Sequence, residues 1–162
     1  MSECQLWLLR HARAEHHSAD GRDISRPLHE AGKTACRHLN RWLRQMDPSD
    51  LPEKVLVSPS LRTRETAELV LDGIDLPVHS HERLWLAEAG ELLHIAETSL
   101  QDLNRLMLIA HNPGLETLTR MLSGAAPAAG FQPGTLIVLG LARPLTRRPA
   151  RTLQLVEARE ST

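Results

Sequence analysis

The chain contains no tyrosine, one phenylalanine and only three tryptophans. So few aromatic faces leave no stacking platform for single-stranded nucleic acid. The formal net charge of −1 removes the basic surface that duplex binding requires. Nucleic acid is therefore not an expected partner. Cysteine is nearly absent too: Cys4 falls in an apolar run and Cys36 on the apolar side of a helical pattern. Two buried free thiols in a reducing, cytoplasmic setting are the expectation. No apolar stretch approaches the ~20 residues of a membrane span. The N-terminus lacks the basic region and apolar run of a signal peptide, so neither a membrane partner nor export is expected. There is no internal repeat and no disordered linker. A length of 162 residues suits one domain, 1–162, around one core.

What is present is an alternation of strands and helices. Gln5-Leu6-Trp7-Leu8-Leu9, Val55-Leu56-Val57 and Leu106-Met107-Leu108-Ile109-Ala110 are short apolar runs without period-2 alternation. That is how strands buried on both faces of a parallel sheet read. Leu28, Ala31, Ala35, Leu39, Trp42, Leu43 and Met46 recur at spacings of three and four, which predicts a helix over 28–46. Further helices are expected over 59–71, with Ser58 as N-cap and Pro59 first, over 90–100, and over 113–122, with Asn112 as N-cap and Pro113 first. A short strand is expected at 76–79. The runs 135–139 and 152–156 read as two last strands, joined by a loop too short for a helical crossover and hence antiparallel. The expected class is α/β: a three-layer α/β/α sandwich with a mostly parallel central sheet and an antiparallel C-terminal strand.

Each of the three buried runs ends in a cation or an imidazole. Arg10-His11 follows the first, Ser58-Pro59-Ser60-Leu61-Arg62 the second, and His111-Asn112-Pro113-Gly114 the third. Ligands bind at the carboxyl edge of such sheets. Two arginines and two histidines converging there describe a phosphate site. His16-His17 makes a poor metal site, because adjacent side chains diverge and no second pair has ligand spacing. No cofactor and no metal are expected.

These segments resemble a known family. Leu9-Arg10-His11-Ala12 resembles the Arg-His-Gly signature of the histidine phosphatase superfamily, with Ala in place of Gly. Residues 58–67 resemble its second motif, and Ile109-Ala110-His111-Asn112-Pro113-Gly114-Leu115 its third. Arg26-Pro27-Leu28 followed by Gly32 is similar to a segment of the small SixA-type phosphohistidine phosphatases. The resemblance implies a phosphoglycerate mutase-like fold and a phosphatase that works without metal. It makes His11, Arg10, Arg62 and His111 the catalytic set, with Arg26 and Asn112 as candidates for binding substrate.

The residue types fit those roles. A neutral His11 can attack phosphorus and become phosphohistidine, splitting one hard step into two. Arg10 beside it disfavours the imidazolium, and the second ring nitrogen then needs an acceptor, for which a backbone carbonyl is the expectation. Arg62 would grip phosphate oxygens with its planar fork, and His111 would donate to the charge on the equatorial oxygens. Arg26 either reaches the phosphate or only pairs with Asp23. Arg64 is expected to face solvent. His79, His81 and His94 have no matching carboxylate pattern and no assigned role.

Many members of the superfamily carry a carboxylic acid between the second and third motifs. Here the corresponding stretch, 81–91, places no obvious one; Glu82 and Glu88 are the candidates, and Glu91 reads as exposed. An alkoxide leaving group needs such an acid. A phosphoramidate needs it less, since solvent can protonate the departing imidazole. The sequence thus points to a phosphohistidine phosphatase, whose partner is a phosphohistidine-bearing protein such as a phosphotransfer domain and whose pocket accepts phosphate and related oxyanions. The alternatives are a small-molecule phosphomonoesterase of the same superfamily, or a phosphate-binding module without turnover. Arg143, Arg147, Arg148 and Arg151 form a basic loop that reads either as solvated or as an edge attracting an acidic protein.

Overall fold

The computed structural model describes residues 3–159. Ten main elements follow one another: β1 (Glu3–Arg10), α1 (Glu30–Leu43), β2 (Lys54–Val57), α2 (Leu61–Val70), β3 (Val78–Ser80), α3 (Ala89–Ser99), β4 (Arg105–Ala110), α4 (Gly114–Ser123), β5 (Leu136–Ala142) and β6 (Arg151–Val156). They build one six-stranded sheet in the order β3-β2-β4-β1-β5-β6. The first four neighbours are parallel; β5 runs against β1, and β6 runs against β5. This is the expected α/β class.

The unalternating apolar runs have a direct cause. Trp7 and Leu9 of β1 pack with Cys36, Leu39 and Leu43 of α1 and Ala67 and Val70 of α2. Leu6 and Leu8 pack on the opposite face with Leu92 and Ile95 of α3 and Leu115 and Leu118 of α4. Both faces of the sheet are covered, so successive residues of one strand must all be apolar.

The helix boundaries shift by one to three positions from those read in the sequence. α1 begins at Glu30 with His29 as cap, its Nδ1 accepting from Ala31 N at 3.0 Å, and its last turns tighten from Arg44 to Met46. α2 is capped by Ser60, not Ser58, and Pro59 lies outside the helix. α4 begins at Gly114 with Pro113 in the cap position. Asn112 sits one residue further out, and its Oδ1 accepts from Glu116 N at 3.2 Å.

Two glycines allow close approaches that draw loops over the carboxyl edge of the sheet. A Cβ on Gly32 would lie 2.2 Å from the Arg13 carbonyl oxygen, and one on Gly114 would lie 2.1 Å from that of Ala87. Gly114 thus lets the 84–88 loop rest on the start of α4. Gly114→Ala is expected to cost about 1–3 kcal/mol, because the obstacle is backbone that cannot move aside. Urea denaturation of the variant against the wild type measures it.

Candidate active site

The strand ladder extends past β1, β2 and β4 and fixes the three loops that carry the candidate residues. His11 N donates to Ala110 O at 3.2 Å, Ser58 N to Ile109 O at 3.1 Å, and Arg10 N to Thr135 O at 3.1 Å. The His11 and His111 rings consequently stand 5.4 Å apart between centroids. A cavity of about 380 Å³ opens beside them, and Arg10, His11, Arg26, Arg62, His111 and Asn112 all line it. The six residues that the sequence suggests for catalysis and substrate binding are all at this one place, whereas the candidate acids Glu82 and Glu88 are not.

His11 is held by its neighbour. Its Nδ1 lies 2.8 Å from Ala12 O. A carbonyl only accepts, so Nδ1 carries the proton and Nε2 keeps its lone pair. Ala12 is held in turn: its N–H donates to Thr66 Oγ1 at 3.1 Å, and Thr66 donates to Arg62 O at 2.7 Å. Glu65 accepts from Leu28 N at 2.6 Å. The second motif therefore braces the loops after β1 as well as supplying an arginine.

Burial pushes His11 down to about 4; the Ala12 carbonyl opposes this, while Arg62, Arg10 and Arg26 add to it. The sequence reading made Arg10 the reason for a neutral His11. Burial is the larger cause, and Arg62 acts before Arg10. Burial likewise takes His111 down to about 3, helped by His11 and Arg62. Both rings are neutral in the folded protein at pH 7. The unfolded chain takes up these protons near the ordinary value of about 6.5. Stability is therefore complete above that pH and is lost as pH falls toward the folded values, by up to about 1.4 kcal/mol per pH unit for each ring. The urea midpoint of His11→Gln/His111→Gln is expected to fall less steeply between pH 7 and 4.5 than that of the wild type. Equal slopes would contradict this assignment.

The two arginines are anchored differently. Arg10 Nη1 donates to Phe131 O at 2.8 Å, and Asn112 Nδ2 reaches the same oxygen at 2.9 Å. Arg62 is buried; its Nη1 donates to Asp23 O at 2.9 Å and its Nη2 to Asp23 Oδ2 at 3.1 Å. Arg26 pairs with the other Asp23 oxygen at 2.9 Å. It thus pairs with Asp23 and also lines the pocket. Asn112 is tied at both ends of its amide. Burial draws both Arg10 and Arg62 below their ordinary value, yet a guanidinium stays charged.

Three buried nitrogens here have no hydrogen-bond partner among the described residues: Arg10 Nε, Arg62 Nε and His111 Nδ1. Buried polar groups are normally satisfied, and three such nitrogens on residues that line one cavity suit an oxyanion. Four arginines line the cavity against a single carboxylate, Asp23. Burial tends to raise that carboxyl, but Arg62 and Arg26 hold it below its usual value. Glu82 and Glu88 are exposed and outside the cavity, and Glu91 pairs with Arg83.

Sequence reasoning missed several members of the site. Asp23 was visible only as a partner for Arg26, three residues on. Trp85 lies edge-on to His111, with ring centroids 5.3 Å apart, and under the Arg62 guanidinium at 5.3 Å. Leu86 has a φ of 47° and stands exposed at the cavity mouth, an uncommon conformation of the kind that clusters at functional sites. His16-His17 is exposed, and no cluster suited to a metal ion occurs among the described residues. Arg64 is exposed. Cys4 and Cys36 are free and buried, and burial pushes the Cys36 thiol up to about 12.

The arginine-rich loop stands elsewhere. Because β5 runs antiparallel to β1, the chain leaves β5 opposite Glu3, at the amino edge of the sheet. There Arg143 bonds the carbonyl oxygens of Leu100 and Leu103, and Arg151 lies 3.9 Å from Glu3. The loop is therefore at the far end of the strands from the cavity, and an acidic protein attracted to it would not be drawn to the site. The basic character near the cavity comes from Arg13 and Arg26 instead.

Comparison with known proteins agrees with this geometry. The sequence model of the histidine phosphatase superfamily (branch 1) matches residues 6–105. An uncharacterised chloroplastic protein of Arabidopsis thaliana is 32% identical over 133 residues, which cover 75% of this chain and 60% of that one. The chain spans about three fifths of the length of the curated relatives it matches. A candidate phosphohistidine phosphatase SixA from Nakamurella multipartitia has a similar structure, with a TM-score of 0.79, 25% identity and 98% of each chain covered. The protein histidine phosphatase SixA complexed with tungstate shares the fold at a TM-score of 0.79 and 23% identity, over 93% of this chain and 95% of that one. No helix among the described residues is long and apolar enough to cross a membrane.

Proposed function

Because the chain belongs to the histidine phosphatase superfamily, we propose that it is a metal-independent phosphatase that hydrolyses phosphohistidine in a protein through a covalent intermediate on His11. The observation that carries the reading is the set of three buried nitrogens without a partner among the described residues, Arg10 Nε, Arg62 Nε and His111 Nδ1, beside a neutral imidazole. The lone pair of His11 Nε2 attacks phosphorus. The P–N bond to the substrate imidazole breaks, and solvent protonates the leaving ring. Water then attacks the phosphorus of phospho-His11, releasing inorganic phosphate and returning His11 to its neutral form. Charge on the transferring group is met by the two guanidiniums and His111, because phosphoryl transfer depends chiefly on positioning and neutralisation. Arg26 and Asn112 complete the wall that binds substrate. The 162 residues act as one domain, and two buried thiols suit a reducing cytoplasm. A histidine phosphotransfer protein in a signalling route is the partner of choice.

The carboxylate inventory selects the substrate. Asp23, the one acid at the cavity, is committed to Arg62 and Arg26 and kept ionised. It cannot lend a proton to an alkoxide, whereas a phosphoramidate does without one. We expect phosphohistidine or phosphoramidate to be hydrolysed with at least a hundredfold higher kcat/KM than an alkyl phosphate, roughly 2.7 kcal/mol of transition-state preference. An aryl phosphate should fall between. Vanadate or tungstate should inhibit, and EDTA should not. Alkyl phosphates turned over as fast as the phosphoramidate would point to a small-molecule esterase with Asp23 as its acid. Absence of turnover with tight oxyanion binding would point to a binding module.

A further inference from the structure

Ser58 ends β2 but does not cap α2, a task that Ser60 performs. Its backbone is fixed on both sides: Ser58 N donates to Ile109 O of β4, and Ser58 O accepts from Thr63 Oγ1 at 2.7 Å. The side chain has no exposed surface. Its Oγ lies 2.7 Å from Nε2 of His111, a residue only 3% exposed. No other partner of that hydroxyl is found among the described residues, and His111 Nδ1 is the buried ring nitrogen without one.

A neutral imidazole carries one proton, on either nitrogen. Were it on Nε2, that N–H would donate to Ser58. The serine hydrogen would then have no acceptor, and Nδ1 would offer a lone pair to a cavity meant for anions. With the proton on Nδ1, the serine hydroxyl donates to Nε2 and is satisfied, and Nδ1–H is left free to donate. Leaving a buried hydroxyl unsatisfied is costly, so the accounting favours the second arrangement. We infer that Ser58 is a positioning residue that locks His111 in its Nδ1–H tautomer, so that Nδ1 presents a hydrogen to the oxyanion. The inference rests on the phosphatase reading for its purpose, though not for its geometry. The low proton affinity of the buried His111 ring is consistent with a neutral donor, since it keeps a second proton off Nε2.

Nitrogen-15 spectra of the side chains of the unliganded wild-type protein at pH 7 test the tautomer directly. The expected result is a pyrrole-type Nδ1 and a pyridine-type Nε2 for His111. The reverse assignment would overturn the inference even if the protein proved to be a phosphatase. Ser58→Ala should release the constraint, mix the tautomers and weaken vanadate binding about tenfold, the worth of one charge-assisted hydrogen bond. In a His111→Ala background the same change should have no further effect on vanadate affinity. Additional loss in that background would mean that Ser58 acts through general structure, and the positioning role would be abandoned. Should Ser58→Ala fail to fold, the wild-type spectrum still decides. A correct tautomer in a protein that hydrolyses no phosphoramidate or phosphate ester would leave the inference standing and remove the phosphatase reading instead.

Discussion

His11→Ala is expected to abolish turnover, with a loss on the order of 10⁶-fold, the scale seen when a covalent nucleophile is deleted. The argument is one of substitution. Of the other groups lining the cavity, His111 has Nε2 engaged by Ser58, Asp23 is held by two guanidiniums, and His16 is exposed, whereas His11 is buried and fixed by Ala12 O; neither cysteine lines the cavity. The variant should still bind vanadate, because Arg10, Arg62 and His111 remain. Its stability should also fall less between pH 7 and pH 5 than that of the wild type, because one buried neutral imidazole that resists protonation is gone. In the wild type, a rapid quench without acid after mixing with labelled substrate should trap phosphate on His11, in an acid-labile and alkali-stable bond. A label that survives acid, or a variant retaining more than a thousandth of wild-type activity, would assign the nucleophile elsewhere.

How far this site could be read from sequence depends on the range of the interaction concerned. Arg10, His11, Arg62 and His111 were legible because each lies at the end of a strand buried on both faces or shortly after it, and such strands deliver these residues to one edge of a parallel sheet. The pairing partners were not legible. Arg62 and Asp23 are 39 residues apart, and Ser58 and His111 are 53 apart; only the folded chain brings them together. The cap of α2 was misread by two residues because Ser58-Pro59-Ser60 offers two capping hydroxyls around one proline, and periodicity cannot choose between them. The geometry chose Ser60, and that left Ser58 for His111. Trp85 stands in a Leu84-Trp85-Leu86-Ala87 stretch similar to the Leu-aromatic-Leu-Ala pattern of SixA-type proteins, but nothing local in it places the ring against His111 and Arg62. The position of the Arg143–Arg151 loop followed from the direction of β5, which sets the edge where a strand's outgoing loop must lie.

Arg62→Ala is expected to lower kcat by about 10²–10³-fold, the cost of removing one preorganised donor to charge that develops in the transition state. Its guanidinium is fixed before substrate arrives. The backbone oxygen and one carboxylate oxygen of Asp23 take Nη1 and Nη2, Trp85 lies beneath it at 5.3 Å, and Nε is left buried without a partner. Arg62→Lys should restore little, because a single ammonium cannot hold Asp23 and the phosphate in the same plane. The effect should appear in catalysis far more than in stability. The Asp23 side chain is half exposed and keeps Arg26 as a partner, and an ion pair of that kind contributes about 1 kcal/mol or less. Removing a buried charge also relieves a desolvation cost. The decisive comparison is kcat with a phosphoramidate beside the thermal midpoint of the same preparation. A kcat within threefold of wild type would deny Arg62 a role in the transition state. A large drop accompanied by a collapse of the midpoint would make it a structural arginine, held by Asp23 for the sake of the loop after β1 rather than for the phosphate.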